Sequence, residues 1–247
     1  MSAPDRIRSL VKSALPRPLV AAMRRRSRAK LLASTNPVSR CFGLDRGGTP
    51  IDRYYINAFL GQHAADIRGR VIEIGDRTYS KRFGGDRITQ SDVLHVEKQP
   101  DVTIVGDLVS GRGVPEAAFD CFICTQTLMF ISDVRAAIAS LHRSLKPGGV
   151  ALVTLAGISQ ICRFDMDHWG DYWRFTSMAA RTLFAEAFGD RDLNVKAYGN
   201  SFAAICLLQG LTTEELTREE LDREDRDYEV IIAVRAVKDG QRSGGAR

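Results

Sequence analysis

The sequence predicts an α/β protein built on a mostly parallel sheet with helices on both faces. Two observations carry that expectation. From about residue 70 onward, short β-branched runs alternate with stretches of helical length. Four of the runs end on glycine or a polar residue: Gly75, Glu97, Asp107 and Thr125. Open sheets of this kind bind ligands outside the carboxyl ends of their strands, where such residues are needed.

Each element has its own signal. Ile51 to His63 reads as a helix with an apolar stripe at Tyr54, Tyr55, Phe59 and Leu60. Val71–Ile74, Val93–Val96, Val102–Val105 and Phe119–Cys124 read as strands. Asp133 to Leu145 is an amphipathic helix, apolar at Val134, Ile138, Leu141 and Leu145. Asp133 suits its N-cap, because a carboxylate accepts from the unpaired amides of the first turn. Lys146-Pro147-Gly148-Gly149 is expected to stop that helix, with a strand at Val150–Leu155 after it. Ser177–Phe188 reads as a helix, Leu193–Tyr198 as a strand and Ser201–Leu211 as a helix. The acid-rich stretch Thr213–Asp227 is expected to be a solvated helix and loop, and Tyr228–Val237 the last strand.

The 247 residues, 44% hydrophobic and 26% charged, suit one folded domain with extensions and exclude wholesale disorder. The net charge of +5 is unevenly placed. Residues 1–30 hold nine Lys/Arg and one acid, so the rest of the chain is net acidic. A nucleic-acid partner is not expected, since such binders carry their positive charge on the folded body. Four segments are expected: a basic arm over 1–40, partly helical or disordered; a cap-helix region over 41–67; the main domain over 68–238; and a flexible tail over 239–247. Residues 1–32 have two readings, a solvated arm or a basic amphipathic stretch lying peripherally on an anionic membrane. No apolar run approaches the roughly 20 residues of a membrane-spanning helix.

Five cysteines without framework spacing, and no secretory signal, point to a reducing cytoplasm. The Cys121-x-x-Cys124 pair lies in an apolar run and reads as buried strand rather than a redox or zinc site. His63, His95 and His142 share no ligand spacing, so no metal site is expected and they read as structural or surface residues.

Glu97 follows Gly75 by about 22 residues, a spacing at which an acid commonly takes the hydroxyls of a ribose. A carboxylate can accept both hydroxyl protons side by side. Asp107 ends the next strand, placed to meet an adenine edge. Together these positions suit an adenosine-containing cofactor. The competing explanation is chance, since polar residues end many strands.

These stretches resemble the class I S-adenosylmethionine-dependent methyltransferases. The resemblance lies in Val71-Ile72-Glu73-Ile74-Gly75, Val96-Glu97, Gly106-Asp107-Leu108, Phe119-Asp120 through Leu128, and Leu145-Lys146-Pro147-Gly148-Gly149-Val150, with the terminal strand near Val230–Ala236. It covers roughly residues 68–238. Asp171-Tyr172-Trp173-Arg174-Phe175-Thr176 is similar to a segment of bacterial methyltransferases associated with glycan and polysaccharide biosynthesis. The resemblance implies a Rossmann-like, doubly wound, seven-stranded sheet with an antiparallel final strand, and S-adenosyl-L-methionine as cofactor. Glu73 and Gly75 would lie under its methionine part, Glu97 at the ribose and Asp107 and Leu108 about the adenine. Thr125 and Gln126 would line the methyl pocket.

One departure stands out. The family's loop usually repeats glycine at alternate positions, but Arg77 and Tyr79 stand at the next two here. Side chains there would keep the backbone off a ligand. Either the loop takes another path, with Arg77 facing the cofactor's carboxylate, or binding has been lost and the chain is an inactive scaffold or membrane-associated module. A nicotinamide-dependent oxidoreductase fits less well, because a pyrophosphate needs that glycine turn more.

Methyl transfer from a sulfonium needs alignment and exclusion of water, and a hydroxyl acceptor also needs a base. The acceptor loop is expected at Gly157–Phe175. His168 is the first candidate base, because its pKa can sit near neutrality; Asp165 and Asp167 come next. Trp169, Tyr172, Trp173 and Arg174 are candidate acceptor contacts, with Arg53 and Tyr54 as lid residues. The alternative is that the aromatic rings pack the sheet edge and the charges face water. The expected reaction is O-methylation of a small-molecule or carbohydrate-type acceptor, with glycans as the named class. Oligomeric state is not readable from the sequence.

Overall fold

A computed structural model of the protein describes residues 34–240. The helices are α1 (Ile51–Gln62), α2 (Val134–Ser144), α3 (Arg163–His168), α4 (Ser177–Phe188), α5 (Ser201–Leu208) and α6 (Arg218–Asp222). The strands are β1 (Gly69–Ile74), β2 (Ile88–His95), β3 (Ile104–Val105), β4 (Phe119–Thr125), β5 (Leu145–Ala156), β6 (Leu193–Tyr198) and β7 (Ile231–Val237). They form one seven-stranded sheet in the order β3-β2-β1-β4-β5-β7-β6. β1 to β5 pair in parallel, and β7 runs antiparallel to both β5 and β6. This is the Rossmann-like doubly wound sheet expected, antiparallel final strand included.

Strand alternation divides the core in two. Ile72, Phe122, Val153 and Val234 point to the face covered by α2 and α4, through Ile138, Leu141, Phe184 and Phe188. Val71, Ile123, Leu152 and Ala233 point to the other face, covered by Tyr55, Ile56 and Phe59 of α1 and Ala203 and Leu207 of α5. The central strands are buried on both faces, which is why they read as continuous apolar runs. Cys121 and Cys124 are three residues apart and therefore fall on opposite faces, one in each core. They cannot share a metal or a disulfide, and burial raises both thiols, Cys124 to about 12.

Local chemistry explains the boundaries. Asp133 caps α2 by accepting from the Ala136 amide at 3.0 Å. Thr176 and Asn200 do the same for α4 and α5. Four expectations need correction. β2 starts five residues before Val93, because its polar first half pairs at a partly exposed edge. Lys146-Pro147-Gly148-Gly149 is not a separate turn but the bulged lead-in to β5. There Leu145 pairs with Phe119, Val150 pairs with Cys121, and Gly148 sits at φ +79°. The helix after Ser201 ends at Leu208, where Gly210 (φ +68°) lets the chain turn. The acid-rich stretch is partly buried: Glu215 is 7% exposed and forms a salt bridge with Arg46.

Residues 38–50 are tied to the body near 209–215. The amides of Val38 and Ser39 donate to the Gln209 carbonyl, and Thr213 donates to that of Thr49. The expected membrane contact through residues 1–32 and most of the expected tail lie outside the described residues. Among the described residues no helix is long and apolar enough to cross a membrane.

Phe122 is fully buried in the centre of the sheet. Phe122→Ala is expected to lower the unfolding free energy by about 3–5 kcal/mol, and Asp133→Ala by about 1 kcal/mol. Chemical denaturation measures both.

Candidate active site

Four strand ends and one long loop build the site. β1 ends at Ile74, and Gly75 donates its amide to Leu94 on β2 at 3.1 Å. Gly75 adopts φ +88°, and a Cβ there would meet nothing within 4 Å, so its open side faces free space. Glu73, only 2% exposed, holds the chain beyond. Its two carboxylate oxygens accept from the amides of Tyr79 (3.0 Å) and Ser80 (2.8 Å), the start of a π-helical turn over Ser80–Gly84. Burial raises the Glu73 carboxyl above its ordinary value, against the lowering by those amides.

This anchoring gives the glycine-poor loop its path. Tyr79 turns into the core below, 7% exposed, and its hydroxyl accepts from Arg53 Nη1 at 2.7 Å. Arg77 donates Nε to the Ser91 carbonyl on β2 at 3.3 Å. Neither lines the crevice above the strands, and Arg77, expected to face the cofactor's carboxylate, turns toward β2.

A cavity of about 430 Å³ occupies that crevice. Gly75, His95, Val96, Asp107, Leu108, Gln126, Trp169 and Tyr172 are among its walls. The Asp107 carboxylate accepts from the Ser110 hydroxyl at 2.7 Å and the Val109 amide at 2.8 Å. Those bonds hold it below the usual carboxylate range and rigidify the turn presenting Leu108. His95 accepts from the Glu97 amide at 2.9 Å and meets Trp169 edge-on at 6.0 Å between ring centres. Glu97 follows Val96, is exposed, and its carboxylate enters no hydrogen bond or ion pair among the described residues.

A second cavity of about 220 Å³ adjoins the first. It is walled by Asp52 and Arg53 of α1, by Gln126, Met129 and Phe130 after β4, and by Gln160, Cys162, Asp165, Asp171 and Arg174 of the long loop. Gln126, Phe130 and Asp165 belong to both cavities. Gln126 is held at φ +48°, a strained conformation for a residue with a side chain. Its amide donates to the Thr154 carbonyl at 2.9 Å and its Nε2 to the Thr154 hydroxyl at 3.2 Å. Arg174 is fixed by Asp171 and by the carbonyls of Ser159 and Gln160.

The structure sorts the remaining candidates. Asp165 lines both cavities. His168 and Asp167 line neither: His168 is exposed, stacked on Phe164 and bonded to that residue's carbonyl, and Asp167 is exposed beside Arg163 at 3.5 Å. Both sit on the short helix α3, whose far face points away from the cavities. Trp173 donates Nε1 to the Ile131 carbonyl and braces the loop from outside. Tyr54 bonds Asp222 on α6, away from the site. Thr125 is half-buried and outside the lining, as is Glu73. Asp52 and His95 were not singled out by the sequence as site residues. Nothing in the spacing of α1 marks Asp52, because the cavity it lines is completed by a loop more than 100 residues later.

Asp52 has a side chain 16% exposed, and its Oδ1 is buried with no hydrogen-bond partner. Burial pushes its carboxyl above 3.8, opposed by the Arg53 guanidinium and first-turn amides.

Residues 80–153 match the family model described as "Methyltransferase domain". The match begins just past the glycine-poor loop. No curated protein matches. Among solved structures, the chain is similar to a protein from Thermotoga maritima described as a SAM-dependent methyltransferase, possible histamine N-methyltransferase. Identity is 14%, the match covers 76% of this chain and 91% of that one, and the TM-score is 0.50. It is also similar to phosphoethanolamine N-methyltransferase 2 of Haemonchus contortus, in complex with S-adenosyl-L-methionine. Identity there is 16%, coverage 75% of this chain and 52% of that one, and the TM-score 0.50. The chain shares the fold of these class I methyltransferases, and residues 80–153 match their domain model, in keeping with the resemblance read from the sequence.

Asp52 generates a stability prediction. Its folded pKa lies above its unfolded one, so the protonated form favours the fold below the unfolded value. That advantage is lost as pH rises through the folded value. Asp52→Asn stays uncharged throughout. Its unfolding free energy relative to wild type is therefore expected to increase between about pH 3 and about pH 7. Denaturant melts across that range measure it.

Proposed function

We propose that the larger cavity holds S-adenosyl-L-methionine and the smaller one a small-molecule or carbohydrate-type acceptor, making the chain a methyltransferase in activity as well as fold. The observation that carries this is the meeting of the two cavities at Gln126, Phe130 and Asp165. A methyl group must pass between donor and acceptor at such a junction.

The residues fit the cofactor. Gly75 leaves open space where a side chain would stand, so the backbone can approach the methionine part. Glu97 offers an exposed carboxylate beside the lining residue Val96, suited to two ribose hydroxyls. Leu108 gives an apolar surface for the adenine, on the turn that Asp107 holds. When bound, S-adenosyl-L-methionine supplies a methyl group activated by its sulfonium. The protein's contribution is alignment and exclusion of water. Trp169 and Tyr172 wall the crevice, and Tyr172 is pinned by its amide to the Met129 carbonyl at 2.8 Å.

The oxygen nucleophile expected from the sequence leaned on His168 as base. With His168 off the cavity wall, Asp165 is the remaining one of the three candidates in place. Trp169 and Tyr172, expected as acceptor contacts, line the larger cavity and not the smaller one, so they wall the cofactor side of the junction. The inactive-scaffold alternative leaned on Arg77 and Tyr79 blocking the crevice, and both lie elsewhere.

Calorimetry with S-adenosylhomocysteine tests the cofactor site. Wild type is expected to bind. Glu97→Ala is expected to weaken binding by roughly 1–3 kcal/mol, through loss of charge-assisted bonds. Arg77→Ala should stay within about 0.5 kcal/mol, since its partner is Ser91. No binding by the wild type contradicts the reading, and unchanged affinity in Glu97→Ala removes the ribose assignment.

A further inference from the structure

We propose that the smaller cavity accepts a protonated amine, and that Asp52 binds the ammonium group and takes its proton. This rests on the larger cavity being the S-adenosyl-L-methionine site.

Unfilled acceptors are the first argument. Asp52 Oδ1 and Gln160 Oε1 are both buried without a hydrogen-bond partner, and both residues belong to the wall of this cavity. Orphaned buried acceptors are costly unless a ligand or water supplies donors. An ammonium carries three donors and a hydroxyl one, and two residues of the wall each hold one unpartnered oxygen.

Charge is the second. Asp52, Asp165 and Asp171 line the cavity against Arg53 and Arg174. Arg174 is committed to Asp171, with one oxygen pair at 2.9 Å, and to two carbonyls. Arg53 stands 3.8 Å from Asp52 and gives Nη1 to Tyr79. Asp165 forms no salt bridge among the described residues. One carboxylate is therefore left over, which favours a cation. Met129, Phe130 and Leu207 supply an apolar wall for the amine's carbon chain.

The step balances. The ammonium N–H proton passes to the Asp52 carboxylate, leaving a neutral amine. Its lone pair forms the new N–C bond while the methyl carbon–sulfur bond breaks and that electron pair stays on sulfur. The products are a methylated ammonium, the neutral thioether and protonated Asp52, which returns its proton to water when the product leaves. Desolvation makes this carboxylate a better base than one in water.

The test saturates the full chain with S-adenosylhomocysteine and titrates n-butylamine, n-butanol and butyrate separately by calorimetry. Butylamine is expected to bind at least about tenfold more tightly than butanol or butyrate. Asp52→Asn is expected to weaken butylamine binding by at least about tenfold, the scale of a lost charge-assisted bond. Its affinity for S-adenosylhomocysteine should stay within about twofold, which also shows that the variant folds. Butanol binding as tightly as butylamine, equal butylamine affinity in the variant, or no butylamine binding by the wild-type complex would each overturn the proposal. Failure of the wild type to bind S-adenosylhomocysteine would instead overturn the cofactor reading beneath it.

Discussion

The site depends on one buried carboxylate. Glu73 receives the amides of Tyr79 and Ser80 and so fixes the direction in which the chain leaves β1. Two bonds to one buried acid are stronger than neutral ones and hard to replace by water. They turn the ring of Tyr79 down into the α1 face of the core. A loop without repeated glycines would otherwise fill the crevice. Here the bulky side chain is spent on packing, and the crevice above Gly75 stays open.

The same arrangement joins the two cavities structurally. Tyr79 accepts from Arg53, and Arg53 neighbours Asp52 on α1. The helix that covers one sheet face thus carries an acid into the smaller cavity, and its register is held by the loop that leaves the larger crevice open. Residues 38–50, fastened near Gln209 and Thr213, fix where α1 begins. The opposite wall comes from the loop after β5, which Arg174 ties to itself, Tyr172 and Trp173 tie to the segment after β4, and the Phe175 amide ties to Ala156 at the end of β5.

Much of the fold was legible because its signals are local. Buried parallel strands read as apolar runs, Asp133 reads as a cap, and Ser177–Phe188 and Leu193–Tyr198 fall where their periodicity puts them. Strand-end residues such as Gly75, Asp107, Leu108 and Gln126 were legible for the same reason, since topology alone carries them to one edge. What failed was non-local. Asp52 looks like a solvent-facing residue in the first turn of a helix, yet it lines one cavity with Gln160 and Arg174 from a loop far along the chain. His168 looks like a base by type, but the turn of α3 carries it outward. Glu215 reads as solvated acid, yet Arg46, 169 residues away, draws it inward. The path of Arg77 and Tyr79 could be framed as alternatives and no further, because it is decided by Glu73 and the core beneath.

A crystal structure with S-adenosylhomocysteine bound tests the central claim most directly. The account predicts ligand density over Gly75, between Leu108 and Trp169, with Tyr79 in the core and its amide on Glu73. Tyr79 or Arg77 standing in the crevice, with no nucleoside beside Val96 and Glu97, would contradict it.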